Sequence, residues 1–334
     1  MTPPTIQLAF HPSAHPARGD AALRAALMAR RLPGWLLYAT PAQARRWLDY
    51  HAGYSPFRAE AEAGRAYDAL HARVPALLPR GQAAAVVGLG CGGGRKDTRL
   101  LRLLAGEGPA IPAYLPLDAS PTLALEATLH AGAELPGIQC APMVADLEAP
   151  ALWEGLAEAW PGWPPDGAPV VVTCYGLLPN LPQREMLRGL HRCLRPGDVL
   201  LLQANLSPVG HAADGARILA QYDNPLAMAW YGGALAGLGL AAGDFDLRAT
   251  TAPNDDTAGE LAWRITVDAV FSRETTLRLP VGEFSFGRGE PLEVFHSQRY
   301  TREGLEALLQ DCGWQPLHMA TDPTGEEGLA ICRR

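Results

Sequence analysis

Lysine is nearly absent from this chain of 334 residues: of its 28 basic residues 27 are arginine and one, Lys96, is lysine. Basic charge as a whole is in short supply, since 35 acidic residues leave a formal net charge of -7. A surface that holds nucleic acid or an anionic membrane needs a basic patch, so neither partner is expected. Cysteine is sparse and scattered. Cys91, Cys140, Cys174, Cys193, Cys312 and Cys332 form no Cys-x-x-Cys pair, which argues against zinc and disulfide frameworks and fits a reducing cytoplasm. No apolar run approaches the length that crosses a bilayer. The N-terminus, MTPPTIQLAFHPSAHPARGD, lacks the basic start and apolar core of an export signal. His11 and His15 have the spacing of helical metal ligands, but the prolines around them and the lack of a nearby acid predict a disordered tail and no metal.

What is present is the composition of a soluble globular protein, 48% hydrophobic and 19% charged, long enough for one large domain or two medium ones. A small molecule is the expected partner. From residue 85 onward short β-branched runs alternate with amphipathic ones. AAVVGL, AYLPLD, CAPMVAD, VVVTCY and VLLLQANL read as strands, with helices near residues 95 to 106, 120 to 133, 150 to 160 and 182 to 194. That is the signature of βαβ units in a doubly wound α/β core. After Asn205 the alternation stops for about ninety residues, too long for an ordinary loop, and a helix and strands such as WRITVDAVF and TTLRLPV predict an inserted α+β unit. The helix TREGLEALLQDCG and two closing strands, QPLHMATD and GLAICRR, with DPTGEE as their turn, finish the chain.

AAVVGLGCGGG is a strand entering a glycine loop, and RKDTRLLRLL opens a helix behind it. Gly88, Gly90 and Gly92 let the backbone pass close under a ligand. The loop also satisfies the dinucleotide fingerprint, so the following features must discriminate. Asp118 ends the second strand, where an acid can accept from ribose hydroxyls of either cofactor. Asp146 ends the third strand in VAD, with Leu147 next, where an adenine amino group is commonly held, and LRPGDVLLL precedes the fifth. Together these favour S-adenosylmethionine over NAD. Lys96, in the first helical turn, offers a compact charge on a flexible stem, suited to the carboxylate of that cofactor's methionine moiety.

Taken together, from about Pro33 onward the chain resembles the histidine-specific, S-adenosylmethionine-dependent methyltransferases. LLYATPAQARRWLDYHAGYSPFRAE resembles the family's N-terminal segment, with Tyr54-Ser55-Pro56-Phe57-Arg58-Ala59-Glu60 standing for Tyr-Tyr-Pro-Thr-Arg-x-Glu. GCGGGRKDTRLL resembles its glycine loop, lysine included, LLPNL its Ile-Gly-Asn segment, and QYDN its Tyr-Asp pair. The resemblance implies a class I methyltransferase doubly wound sheet with a terminal β-hairpin. It also implies an α+β substrate-binding domain from residues 1–60 and 209–300 over a cofactor-binding core from 61–208 and 301–334.

By the same resemblance Tyr38, Tyr54, Asn180, Tyr222 and Ser297 line the substrate pocket, with Tyr38, Asn180 and Tyr222 closest to the reacting amine. Either Tyr175 or Gly176 stands where the family has a glycine. The family's Glu-x-Ser reads Phe295-His296-Ser297 here, and Ile265 stands for a methionine bordering the pocket. Strand alternation puts Glu293, Phe295 and Ser297 on one face and His296 on the other. With Phe295 and Ile265 on its wall the pocket is expected to take the α-amino group of an amino acid, or a metabolite derived from one, whose side chain is apolar or aromatic. The alternatives are free histidine as acceptor and a binding protein that keeps the cofactor cleft without the chemistry.

Overall fold

The computed structural model describes residues 6–54, 61–108, 110–156, 164, 167–253 and 261–334. The strands, in chain order, are β1 (Ala9–Phe10), β2 (Ala85–Leu89), β3 (Ala113–Asp118), β4 (Met143–Val144), β5 (Val170–Tyr175), β6 (Val199–Asn205), β7 (Phe245–Pro253), β8 (Leu261–Phe271), β9 (Thr275–Leu279), β10 (Gly282–Phe286), β11 (Pro291–Tyr300), β12 (Gln315–Thr321) and β13 (Glu327–Arg333). Eight of them form the central sheet in the order β1-β4-β3-β2-β5-β6-β13-β12. All its neighbours run parallel except β13, which is antiparallel to both β6 and β12.

The apolar runs that form β2, β3, β5 and β6 are buried on both faces, as a parallel sheet covered by helices requires. Val87, Leu117, Val172 and Leu202 face a core closed by Met186, Leu190, Leu305 and Trp314. Val86, Tyr114, Val171 and Leu201 face the opposite core, closed by Tyr67, Leu70, Leu100 and Leu104. The chain leaves β2 for β3 on one side and later returns to β5 on the other, and a crevice opens at the carboxyl ends of strands where the order reverses in this way.

The inserted segment forms a three-stranded antiparallel sheet, β11-β8-β7, and a β9-β10 hairpin. Trp230 and Tyr231, from the helix Pro225–Gly237, pack on Val267, Ala269 and Phe271 of β8 together with Leu27, Leu32 and Leu37 from the N-terminal segment. The Trp230 indole N–H donates to Leu37 O at 2.8 Å, which satisfies a polar group that this burial would otherwise strand.

Several sequence expectations change. Residues 6–20 of the predicted disordered tail are built into the fold: β1 adds to the sheet edge, and His11 N donates to Val144 O at 2.8 Å. Its two histidines act as helix caps, His11 Nδ1 accepting from Ser13 N at 3.0 Å and His15 Nδ1 from Ala17 N at 3.2 Å. CAPMVAD keeps only Met143–Val144 as strand, because Pro142 has no N–H to give the ladder. The helix expected to residue 160 is described as Pro150–Gly155, and the residues from 157 to 160 lie outside the described ones, as does the 55–60 part of the Tyr-Ser-Pro block.

The most consequential difference is in β11. Its register against β8 runs Glu293↔Asp268 and then Phe295↔Val267, so Val294 is an extra residue, a β-bulge. The alternation that would put Glu293 beside Phe295 is broken there. Glu293 turns to the outer face with His296, while Phe295, Ser297 and Arg299 share the inner face.

Candidate active site

The crevice beside β2 opens into one cleft lined by the glycine loop, the ends of β3 and β5, the inner face of β11 and the helix Pro41–Tyr54. At the loop, Gly92 has φ +54, and a Cβ there would come 2.7 Å from the Trp47 ring. Glycine is needed both for the left-handed backbone and for the close approach. Asp118 Oδ2 accepts from Gly92 N and Oδ1 from Ser120 N, each at 2.9 Å, so the acid that ends β3 fixes the loop and keeps lone pairs for further donors. Burial pushes the Asp118 carboxyl up to about 6.

Gly88 lies under the loop, outside the cleft wall, and makes room for a different group. A Cβ on it would come 2.2 Å from Asp97 Oδ2, which accepts from the Tyr114 hydroxyl at 2.7 Å, while Asp97 Oδ1 accepts from Thr173 Oγ1 at 2.7 Å. Burial raises the Asp97 carboxyl to about 6. Gly90 and Leu147 line the cleft, and Asp146 lies in an adjoining hollow with Leu147 and Glu148. Asp146 N donates to Ser13 Oγ at 3.0 Å and Asp146 Oδ1 accepts from Glu148 N at 3.0 Å, so the N-terminal turn braces this corner.

Lys96 points into the cleft from the first turn of the helix Arg95–Glu107. Its Nζ donates to the Tyr67 hydroxyl at 2.7 Å and lies 5.8 Å from the centroid of the Tyr175 ring. Burial lowers its pKa and the Glu327 carboxylate works the other way. Tyr175 turns its ring toward Tyr67 and bonds His71 Nε2 at 2.8 Å through its hydroxyl, while Gly176, at φ +76, leaves bare backbone at the cleft.

At the other end, Asn180 ends the 3-10 turn Leu178–Asn180 after β5, and its Oδ1 is buried without a partner among the described residues. The Tyr222 hydroxyl donates to Ser297 Oγ at 3.3 Å and accepts from Arg299 Nη2 at 3.1 Å. Phe295 stacks on Tyr222 with centroids 5.9 Å apart and also meets Trp230 and Tyr231. Tyr38 packs on Trp47 and Trp230, and burial raises its phenol well above the ordinary value, so it stays neutral. Tyr54 stands at the more open rim near Tyr50.

Ile265, expected on the pocket wall, is fully buried in a small core with Ile218 and Trp263, behind Ser297. Glu293, the nearest acid in sequence to Phe295, is held by Arg264 at 2.6 Å and His296 at 3.0 Å. Sequence reasoning missed Trp47, Tyr50, Trp230, Arg299, Glu326 and Glu327, all on the cleft wall. Arg299 was readable as the next inward residue after Phe295 and Ser297. The glutamates were quoted as part of a turn, Trp47 and Tyr50 lay in the quoted N-terminal segment without being singled out, and Trp230 carried no motif.

Among the described residues there is no group of three or more His, Cys, Asp and Glu that could hold a metal, and no helix is long and apolar enough to cross a membrane.

A sheet whose order reverses beside β2 and ends in an antiparallel strand pair, with a glycine loop closing onto the acid of the next strand, defines a class I methyltransferase. Within that class, residues 49–334 match the family described as histidine-specific methyltransferase, SAM-dependent, and the chain belongs to it. A histidine N-alpha-methyltransferase from Mycolicibacterium smegmatis (strain ATCC 700084 / mc(2)155) is 29% identical over 290 residues, covering 84% of this chain and 83% of that protein. Among solved structures, an S-adenosylmethionine-dependent methyltransferase from Clostridium acetobutylicum ATCC 824 is 11% identical with a TM-score of 0.46, over 86% of this chain and 98% of that one. Magnesium protoporphyrin IX methyltransferase from Synechocystis PCC 6803 is 15% identical with a TM-score of 0.45, over 88% of this chain and 95% of that one.

The chain is therefore a methyltransferase whose cofactor is S-adenosylmethionine. The residues present fit it. The loop at Gly92 has no room for a side chain, Asp118 can still accept from a diol, and Ala119, Leu147 and Leu177 supply apolar wall between them.

Proposed function

We propose that this protein methylates the α-amino group of an amino acid, or of a metabolite derived from one, whose side chain is apolar or aromatic. The observation that carries the reading is Phe295. Its ring stands on the cleft wall against Tyr222, Trp230 and Tyr231, and the bulge at Val294 turns the neighbouring acid, Glu293, to the other face of the sheet. Other acids near this end are engaged: Glu326 pairs with Arg217 and accepts from Gln221 at 2.8 Å, the carboxylate of Glu327 interacts with Lys96 and Tyr67, and in the adjoining hollow Glu148 Oε1 accepts from Gly34 N at 3.1 Å and Asp146 Oδ1 from Glu148 N at 3.0 Å. A site that recognises imidazole would need a polar partner for its N–H, and discrimination by such pairing is strong.

In this reading Gly90, Gly92, Asp118 and Leu147 would hold the nucleoside part of the cofactor, Asp146 its adenine edge and Lys96 its carboxylate. When bound, the cofactor would supply an electrophilic methyl group on a sulfonium: the lone pair of a neutral amine takes the methyl carbon as the C–S bond breaks, and the thioether leaves. Asn180 Oδ1, buried and unpartnered, accepts an N–H of that amine and so aims its lone pair. Tyr222 holds the carboxylate end, and the rings of Tyr38, Trp47 and Trp230 exclude water and face the positive charge that passes from sulfur to nitrogen. The division of the chain into a substrate-binding part, 1–60 and 209–300, and a core, 61–208 and 301–334, is part of the same proposal.

The test is a switch. A Phe295→Glu variant that stays folded and binds S-adenosylhomocysteine as the parent does should gain methyl transfer to histidine and lose it to the aromatic amino acid that the parent prefers. A parent already efficient with histidine and idle with aromatic amino acids refutes the side-chain reading.

A further inference from the structure

Arg299 stands at the inner end of the cleft on the same face of β11 as Phe295 and Ser297, and is 2% exposed. Its Nη2 donates to the Tyr222 hydroxyl at 3.1 Å and its Nη1 to Leu206 O at 3.5 Å, while Nε has no partner among the described residues. Among the described residues no carboxylate lies within ion-pairing distance of it, although it is buried. The glutamates of the cleft have other partners: Glu326 has Arg217, and Glu327 has Tyr67 and Lys96, the latter ahead of Arg299 among the cations that lower its carboxyl. A guanidinium taken out of water without a carboxylate in contact is costly, and a retained one marks a place where an anion is expected to arrive.

The neighbouring groups have the same character. The Tyr222 hydroxyl accepts from Arg299 and donates to Ser297 Oγ, which also accepts from Asn205 Nδ2 at 3.3 Å, so the Ser297 proton is left to donate. Arg299 and Ser297 thus keep donor hydrogens beside Tyr222 and Asn205, while Glu326 and Glu327 of the same cleft are engaged elsewhere. We propose that Arg299 is the specificity-determining residue for the substrate's carboxylate, pairing with it beside Tyr222 and thereby selecting amino acids over the corresponding amines. The inference rests on the amino-acid reading above and names the group in this chain that reads the acid.

The experiment compares kcat/KM for the best amino acid, its amide and its decarboxylated amine, in the parent and in Arg299→Gln and Arg299→Lys. The parent is expected to favour the amino acid over both neutral analogues by about 100-fold or more, the scale of one buried charge pair. In Arg299→Gln the amino acid should lose that advantage, mainly through KM, while the amine changes less than about threefold; Arg299→Lys should restore part of it. Binding of S-adenosylhomocysteine by each variant checks that the fold is intact. If Arg299→Gln lowers amino acid and amine alike, the residue is structural and the inference is overturned. Should neither variant fold, the parent's preference decides: equal use of acid, amide and amine overturns the inference and leaves the N-methylation reading standing. Transfer to amines with none to any amino acid removes both.

Discussion

Lys96 Nζ donates to the Tyr67 hydroxyl at 2.7 Å and lies 4.4 Å from the centroid of that ring, with the Glu327 carboxylate as its electrostatic partner. This is a slot between an aromatic ring and a buried acid, and a point charge on a flexible stem suits it where a planar fork does not. Lys96→Ala and Lys96→Arg are both expected to weaken S-adenosylhomocysteine about tenfold or more, as the loss of a hydrogen bond to a charged group implies. Methylthioadenosine, which lacks the amino-acid moiety, should bind parent and variants alike. Calorimetry with the two ligands separates a carboxylate contact from general damage to the cleft, and an equal loss for both would refute the assignment.

Two glycines in one loop should fail differently. Gly88→Ala would drive a methyl group into Asp97 and is expected to cost about 1–3 kcal/mol of stability, the range for an overpacked core. Gly92→Ala combines left-handed strain of about 1–2 kcal/mol with a collision against the Trp47 ring at the cleft, so its larger effect should be on cofactor affinity. Denaturant titration and ligand calorimetry on both variants check the contrast.

Asp97 gives a pH signature. Its carboxyl is raised by burial from 3.8 to about 6, so the folded state holds a proton that the unfolded chain releases earlier. The stability that goes with it is full below pH 3.8 and falls as pH rises to about 6, by about 3 kcal/mol in all. Asp97→Asn removes the titration. Relative to the parent, the variant's unfolding free energy should therefore improve between pH 4 and pH 7, and a constant difference across that range would contradict the shift.

The βαβ core was legible because its strands are runs such as VVVTCY and VLLLQA, buried on both faces, and because glycine loop, acid and turn follow one another in chain order. The β11 face was not legible. Alternation holds only while the ladder is unbroken, and nothing in PLEVFHSQRY announces that Val294 bulges, so Glu293 was assigned to the wrong side. The ordered N-terminus was hidden for a related reason: a two-residue edge strand has no periodicity, and His11 and His15 cap turns, a role usually filled by serine or aspartate. Trp47, Tyr50 and Trp230 meet at the cleft from two helices far apart in sequence, which no local pattern encodes.

Losing the amine acceptor and losing the carboxylate partner should also differ. Asn180→Ala leaves the amine unaimed and is expected to lower kcat at least tenfold, whereas Tyr222→Phe, which keeps the stack on Phe295, should act more on KM. Steady-state kinetics with the accepted substrate reads the split, and unchanged values in both variants would exclude the clamp.

The side-chain pocket at Phe295 is tested most directly by methyl transfer from S-adenosylmethionine to each of the twenty amino acids, followed by mass spectrometry of the products. Methylated α-amine on tryptophan, tyrosine or phenylalanine, with histidine far slower, is the expected result. Efficient methylation of histidine with the three aromatic amino acids inert would contradict it.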